Sequence, residues 1–565
     1  MRRTSRTLPA LAAASLLLAS CGTAPATAPA TQAAAQRDAT VAAPAPPPPP
    51  FAASQRISVS GSSIQPASSY APGPGVPNYS VMIVPGFTLG MNSFPGKAAN
   101  GVVLVEDQPV STFSADVDTA SYAFVRRQLN TGRLPPPAAV RVEEMVNYFP
   151  YQYARPAGRA QPFAVTAEVM PSPWKAGNQL LHIAVRGYDM QTAERPAMNV
   201  VLLVDVSGSM GPQDRLPLLK QGFRLFAEQL RPQDRLAIVT YANGTAVALE
   251  PTSGKDKPAI LAAIDALGAG GGTAGAAGLE RAYALAERHF DTRAVNRIIL
   301  ATDGDFNIGI HDPLQLEQFI AAKRKSGVYL SVFGVGNGNL NDALFQRLTQ
   351  SGNGNAAYID SLLEARKALQ QELGSTMFPI ANDVKMQVEF NPAQVAAYRL
   401  IGYETRMLNR QDFKDDQVDA GDMGAGHTVT AIYEITPAAA GAALVDPLRY
   451  GEAKPASRGA KDGELAFVRV RYKLPGETRS RLVERPVLAQ SAHTTLKSAP
   501  QEQRFAVAVA AFGQRLRGEQ QVANYPLADI AELANGARGA DAEGYRAEFV
   551  QLVRMAEALD KAGQP

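Results

Sequence analysis

Met198-Asn-Val-Val-Leu-Leu-Val-Asp-Val-Ser-Gly-Ser-Met210 is an apolar run that stops at a carboxylate and then offers two hydroxyls. Residues 200–204 contain no polar side chain, and a strand written this way must be covered on both faces, the condition inside a parallel sheet. Asp205 then stands at the strand's carboxyl end, where open α/β sheets bind their ligands. In a loop leaving a strand, alternate residues can turn to one side, so Asp205, Ser207 and Ser209 can converge on a hard cation. Gly208 between the serines lets the backbone turn tightly.

Two further pieces follow in order. Thr273 lies in Gly270-Gly-Gly-Thr-Ala-Gly275, and Asp303 follows the apolar stretch 298–302 in Thr-Asp-Gly. Taken together, the three parts resemble the metal-ion-dependent adhesion site of von Willebrand factor type A domains, the fold also called the integrin inserted domain. The resemblance covers residues 196–375. It implies that Asp205, Ser207, Ser209 and Thr273 supply oxygen ligands, directly or through water, and that Asp303 acts through water. It also implies an open coordination position that takes a carboxylate from a protein partner. Magnesium, which keeps several waters and takes one or two carboxylates, suits this set, with manganese or calcium as substitutes. Without that resemblance, Asp205 and the serines read as ordinary helix caps.

The surrounding pattern extends the α/β reading. Helical spacing over 218–230, 257–267, 275–290, 315–326, 341–349 and 361–373 alternates with strands at 235–241, 297–302, 328–334 and 356–359 and a short edge strand at 245–249. Such alternation predicts a doubly wound, mostly parallel sheet. Beyond residue 377 the pattern changes to strands at 384–390, 398–403, 427–435 and 464–473, whose alternation predicts an antiparallel β-sandwich. A hairpin at 163–170 and 180–186 lies just before the type A segment. We expect it to pair with those later strands, making the type A domain an insertion in a β-sandwich-like domain. The closing stretch is Ala-rich and helical, with Phe505, Val509 and Phe512 on one stripe.

A chain of 565 residues exceeds one hydrophobic core. The expected organisation is a signal peptide at 1–21, a disordered Pro/Ala-rich linker at 22–95 and an N-terminal extension at 96–160. A β-rich domain at 161–195 plus 376–495 surrounds the type A domain at 196–375, and a helical C-terminal region occupies 496–565. The extension reads as a strand at 101–106 and a helix ending near Asn130, with a second helix at 142–149. Asp116 and Asp118 read as loop and N-cap residues rather than a second cation site. Segments 113–122, 142–149 and 419–434 resemble a bacterial envelope subfamily of type A proteins.

At the amino end, Arg2, Arg3 and Arg6 precede an apolar stretch at 8–18, the pattern of an export signal. Leu18-Ala-Ser-Cys21 resembles the bacterial lipobox, which implies cleavage before Cys21 and a lipid on its sulfur. Cys21 is the single cysteine, so no intramolecular disulfide forms. Gly22 rather than Asp follows it, so in a Gram-negative host the expected location is the outer membrane, facing the periplasm. The Pro/Ala-rich stretch behind it is a tether too poor in apolar surface to fold.

The formal net charge of +3, from 55 basic and 52 acidic residues, provides no global field for nucleic acid. No phosphate loop and no Gly-x-Ser-x-Gly elbow occurs, and the five histidines lack zinc spacing. Asp303-x-Asp305-x-Asn307 opens like a calcium loop but fails at Ile308 and Leu314. We expect no catalysis and no small-molecule substrate. The reading is a lipid-anchored envelope protein that binds an acidic residue of a protein partner through a divalent cation. The alternative is a structural scaffold in which the cation only stiffens the loops.

Overall fold

The computed structural model describes residues 96–158, 160–272, 275–304, 313–338, 340–440 and 463–562, with Asn92 and Phe94. Cys21, the signal peptide and Thr273 lie outside the described residues, as does nearly all of the expected tether. Everything described belongs to one unit, Val84–Pro565.

Among the described residues, the type A segment forms a six-stranded sheet in the order Ala356–Ile359, Val328–Val335, Ala294–Thr302, Ala197–Asp205, Arg235–Tyr241 and Thr245–Ser253. Neighbours are parallel except the last pair. The unbroken apolar run is central, as its composition requires. Val200, Leu202 and Val204 face one core with Leu219, Phe223 and Phe226 of helix Leu216–Gln229. Val201 and Leu203 face the other with Leu279, Ala282 and Tyr283, carried by helix Gly275–Arg288. Full burial of each such side chain contributes about 1.5–3 kcal/mol.

Two elements here differ from expectation. The edge strand runs four residues further than its hydrophobic pattern predicts, through Pro251, because an edge strand needs no ladder hydrogen bond from every N–H. The last helix is not continuous. It comprises Leu362–Arg366, a wide π turn at Lys367–Gln371 and Leu373–Met377, with the buried Lys367 ammonium paired to Glu372 across the turn.

The type A domain is inserted in an antiparallel sandwich. One sheet has the order Val103–Leu104, Val395–Ile401, Thr428–Pro437, Gln179–Gly187 and Phe163–Pro171. The other has the order Met407–Leu408, Val110–Ser114, Pro379–Phe390, Glu464–Lys473 and Ser480–Leu488, with Gly421–Gly424 also paired to Pro379–Phe390. The hairpin before the insertion pairs with a strand after it, Ile183 opposite Ala431. Phe113, Val388, Phe390, Tyr398, Tyr433 and Val468 fill the space between the sheets.

Val110–Ser114 has no strand pattern in the sequence, yet all five residues are buried. Its hydroxyls find partners inside the sandwich: Ser111 Oγ accepts from Tyr433 OH, Thr112 Oγ1 from Gln387 and Ser114 Oγ from the Gly421 N–H. A polar strand is tolerated in a core when every polar atom is met.

Helix Ala120–Asn130 is buried on two sides. Ala123 and Phe124 pack on the type A core, while Tyr122, Val125 and Leu129 pack with Phe505, Phe512 and Phe549 of the C-terminal helices Gln501–Arg517 and Tyr545–Ala562. Arg126 ties the three regions together. Its guanidinium bonds Asp360 and Glu364 of the type A domain, the Tyr148 hydroxyl and Glu548 of the last helix. Asp116 and Asp118 lie in the loop before helix Ala120–Asn130, as expected, but the N-cap position is Thr119. Both pair with Arg406, and Asp118 also accepts the Ala356 N–H at 2.7 Å. Among the described residues no helix is long and apolar enough to cross a membrane.

Candidate metal centre

The parallel register brings four strand ends level. Asp205 lies opposite Tyr241, Val204 opposite Ala301 and Thr302 opposite Gly334. From Ala197–Asp205 the chain crosses to one side of the sheet and later returns on the other, so this edge is a topological switch point with a crevice above it.

At the central strand end the Ser207 N–H donates to Asp205 Oδ1 at 2.8 Å, and Ser207 Oγ and Ser209 Oγ are 3.0 Å apart. The Thr302 hydroxyl donates to Asp205 Oδ2 at 3.3 Å and accepts from the Gly304 N–H at 3.3 Å. Asp303 is buried next to it and pairs with Arg215. Arg215 also donates to the Ser209 carbonyl at 2.7 Å and to the Asn337 carbonyl at 3.2 Å.

The Gly-rich loop before Thr273 is stapled to the first loop. Gly208 N–H donates to Gly271 O at 2.9 Å, and Gly270 N–H donates to Val206 O at 2.7 Å. Gly271 has φ +87, and a Cβ there would sit 2.7 Å from Asn243 Nδ2, so only glycine fits. The Asn243 side-chain oxygen accepts the next N–H, from Gly272.

Burial pushes the Asp205 carboxyl above its ordinary range. The hydroxyl and N–H of Ser207 oppose this, the charge of Asp303 adds to it, and the Thr302 hydroxyl again opposes it. The donor set therefore combines hard oxygens with two mutually repelling carboxylates, which fits a small divalent ion better than a soft one. No group of three or more His, Cys, Asp or Glu able to hold a metal occurs among the described residues. A cation here would rest on hydroxyls as much as on carboxylates.

Of the residues singled out in the sequence, Asp205, Ser207, Ser209 and Asp303 lie at this strand-end edge. Arg215, Thr302 and Asn243 were not anticipated. Thr302 had a signal, as a hydroxyl at a buried strand end directly before Asp303. Arg215 had none, because only the folded loop aims it inward.

Sheet order, strand-end carboxylate and helices on both faces define a von Willebrand factor type A domain, and the family model of that description matches residues 200–305. A second model described as von Willebrand factor matches residues 89–182, and one described as "Uncharacterized protein YfbK, C-terminal" matches residues 375–559. The chain is 46% identical over 471 residues to the uncharacterized protein YfbK of Escherichia coli strain K12, spanning 82% of this chain and 81% of that one. The chain belongs to the YfbK family of type A domain proteins.

Among solved structures, a von Willebrand factor type A protein from Catenulispora acidiphila covers 70% of this chain and 91% of its own, at 16% identity and a TM-score of 0.38. Proximal thread matrix protein 1 from the mussel byssus, described with a zinc-occupied MIDAS motif, covers 33% of this chain and 46% of its own, at 24% identity and a TM-score of 0.27.

Proposed function

We propose that the strand-end cluster holds a divalent cation, magnesium or its substitutes manganese and calcium, and that the ion takes a carboxylate from a protein partner. Asp205, Ser207 and Ser209 act as oxygen ligands, Thr273 joins them from the Gly-rich loop, and Asp303 acts through water. When bound, the ion supplies a Lewis-acidic position for an anionic oxygen. The chain itself fixes the donors: Thr302 and the Ser207 N–H orient Asp205, and the two backbone bonds from the Gly-rich loop hold that loop against the first. The observation that carries this reading is the meeting of one buried carboxylate and two serine hydroxyls at the carboxyl end of the central strand, with a second buried carboxylate beside them.

On this reading the protein binds rather than catalyses. It is exported and lipid-anchored through Cys21, and in a Gram-negative host it faces the periplasm from the outer membrane. Type A domains commonly mediate protein–protein contact, and that coarser role is in keeping with the family. Titration calorimetry on the purified protein should give saturable uptake of magnesium or manganese that Asp205→Ala abolishes. Capture of partners from envelope extracts should fall in that variant and on adding a chelator. Partners retained equally in all three conditions would remove the cation from the mechanism and leave the scaffold reading.

A further inference from the structure

Arg215 lies at the N-terminal boundary of helix Leu216–Gln229, with φ −125 and ψ −115. Its side chain is only 12% exposed, and its guanidinium bridges three loops around the candidate centre. One nitrogen reaches both Asp303 Oδ2 and the Ser209 carbonyl, and another reaches the Asn337 carbonyl. The path is shaped for it: a Cβ on Gly336, itself at φ +77, would sit 2.4 Å from Arg215 Nε. By contrast, Asp205 has no ion-pair partner among the described residues; the Ser207 N–H and the Thr302 hydroxyl donate to it.

Charge counting gives this placement a consequence. A divalent ion beside two carboxylates would be neutral overall, with little net attraction for an anionic guest. The guanidinium leaves the same site with one net positive charge, which a single carboxylate cancels. We propose that Arg215 couples the cation to its acidic guest. It weakens the hold on an ion bound alone and strengthens the hold on a carboxylate that arrives with the ion. By linkage, the guest then tightens the ion by the same factor. The inference rests on the reading that the cluster holds a cation. It adds that the resident ion is poorly retained without a carboxylate partner and that Arg215, which need not touch the ion, sets this dependence as a positioning residue.

The experiment uses the full chain and two probes, manganese alone and manganese with acetate, read by titration calorimetry. In the wild type, acetate should tighten manganese binding about fivefold or more, within the usual range of coupling between two ligands. Arg215→Gln should bind manganese alone about tenfold tighter, because a unit charge close to a divalent ion has been removed. In that variant acetate should change manganese affinity by less than about twofold, well below ordinary coupling. Arg215→Lys, which keeps the charge, should stay near the wild type. A thermal melt of each variant checks that the fold is retained.

Unchanged or weaker manganese binding in a folded Arg215→Gln protein, or undiminished acetate coupling, would overturn the proposal while leaving the cation site standing. No manganese uptake by the wild type would overturn both, so the two failures are distinguishable.

Discussion

Two sets of buried carboxylates in this protein are held in opposite ways. Where the N-terminal helices meet the type A domain, Arg141 bonds both Glu144 and Asp342, and Arg406 pairs with Asp118 at 2.8 Å. Burial opposes ionisation of Glu144, but the charge and hydrogen bonds of Arg141 outweigh it and hold that carboxyl below its usual range, whereas burial outweighs the guanidinium at Asp342 and Asp118 and keeps theirs above it. At the strand end, Asp205 is equally buried and is met only by hydroxyls and one N–H. The comparison separates two uses of buried charge. A carboxylate saturated by guanidinium acts as an internal bolt, whereas one met by dipoles alone retains an electrostatic demand that a cation can satisfy.

The largest expected effect tests the bolt. Arg141→Met should destabilise the protein by about 3–5 kcal/mol, because it strands Glu144 and Asp342 as unpaired buried charges. Urea unfolding would read this, and a loss below about 1 kcal/mol would reduce the cluster to an incidental surface-type pair. The next effect tests the other side. Magnesium at a hundredfold excess over its dissociation constant should stabilise the wild type by about 2.7 kcal/mol and leave Asp205→Ala unmoved. Without magnesium, Asp205→Ala should be at least as stable as the wild type, since it removes a buried charge that lacks an ion pair. Equal stabilisation of both proteins by magnesium would place the ion elsewhere.

Asp422 lies between the two extremes. It accepts hydrogen bonds from Asn353 Nδ2 at 3.3 Å and the Asp383 N–H at 3.2 Å, where the type A domain meets the sandwich. Burial, assisted by Asp383 and Asp419, pushes its carboxyl up to about 7, against the hydrogen bonds it accepts. A carboxyl raised in the folded state binds protons more tightly there than in the unfolded chain. Its contribution is therefore full below the ordinary carboxylate range and disappears as pH rises through about 7. The wild type should lose about 1 kcal/mol between pH 6 and pH 8 from this group. Asp422→Asn should lack that component, and identical pH profiles for the two proteins would count against it.

The smallest stability effect belongs to Ser209→Ala. Without metal it should change stability by less than about 0.5 kcal/mol, because Ser209 is only partly buried. Its magnesium affinity should nevertheless fall about tenfold or more, as removal of groups that hold or orient a metal typically does. A matching loss of stability and of affinity would instead make the serine a structural element.

Much of the type A domain could be read directly from the chain. The apolar run ending at Asp205, the hydroxyls two and four residues on, and the alternation of helical and strand periods each depend on short stretches. Two of the strands missed, Val110–Ser114 and Ser480–Leu488, fail the pattern for local reasons. The first is polar but satisfied by partners hundreds of residues away, and the second is a largely exposed edge. The segment set apart as an N-terminal extension contributes strands to the sandwich and helices to the C-terminal core. Within the candidate centre, Asp205 and the serines were legible from spacing and Asp303 through the family resemblance, whereas Arg215 was not.

The sequence alone determined the alternation of strands and helices in the type A domain and which carboxylate ends the central strand. Those follow from side-chain periodicity and from the backbone preferences of neighbouring residues. Only the tertiary structure decided which of the later strands takes Gln179–Gly187 and in what register, that Arg126 joins three regions and that Arg215 turns inward onto Asp303. Sequence spacing does not encode these meetings. They depend on strand register and on which charges are brought together when water is excluded, and both are properties of the whole packed chain.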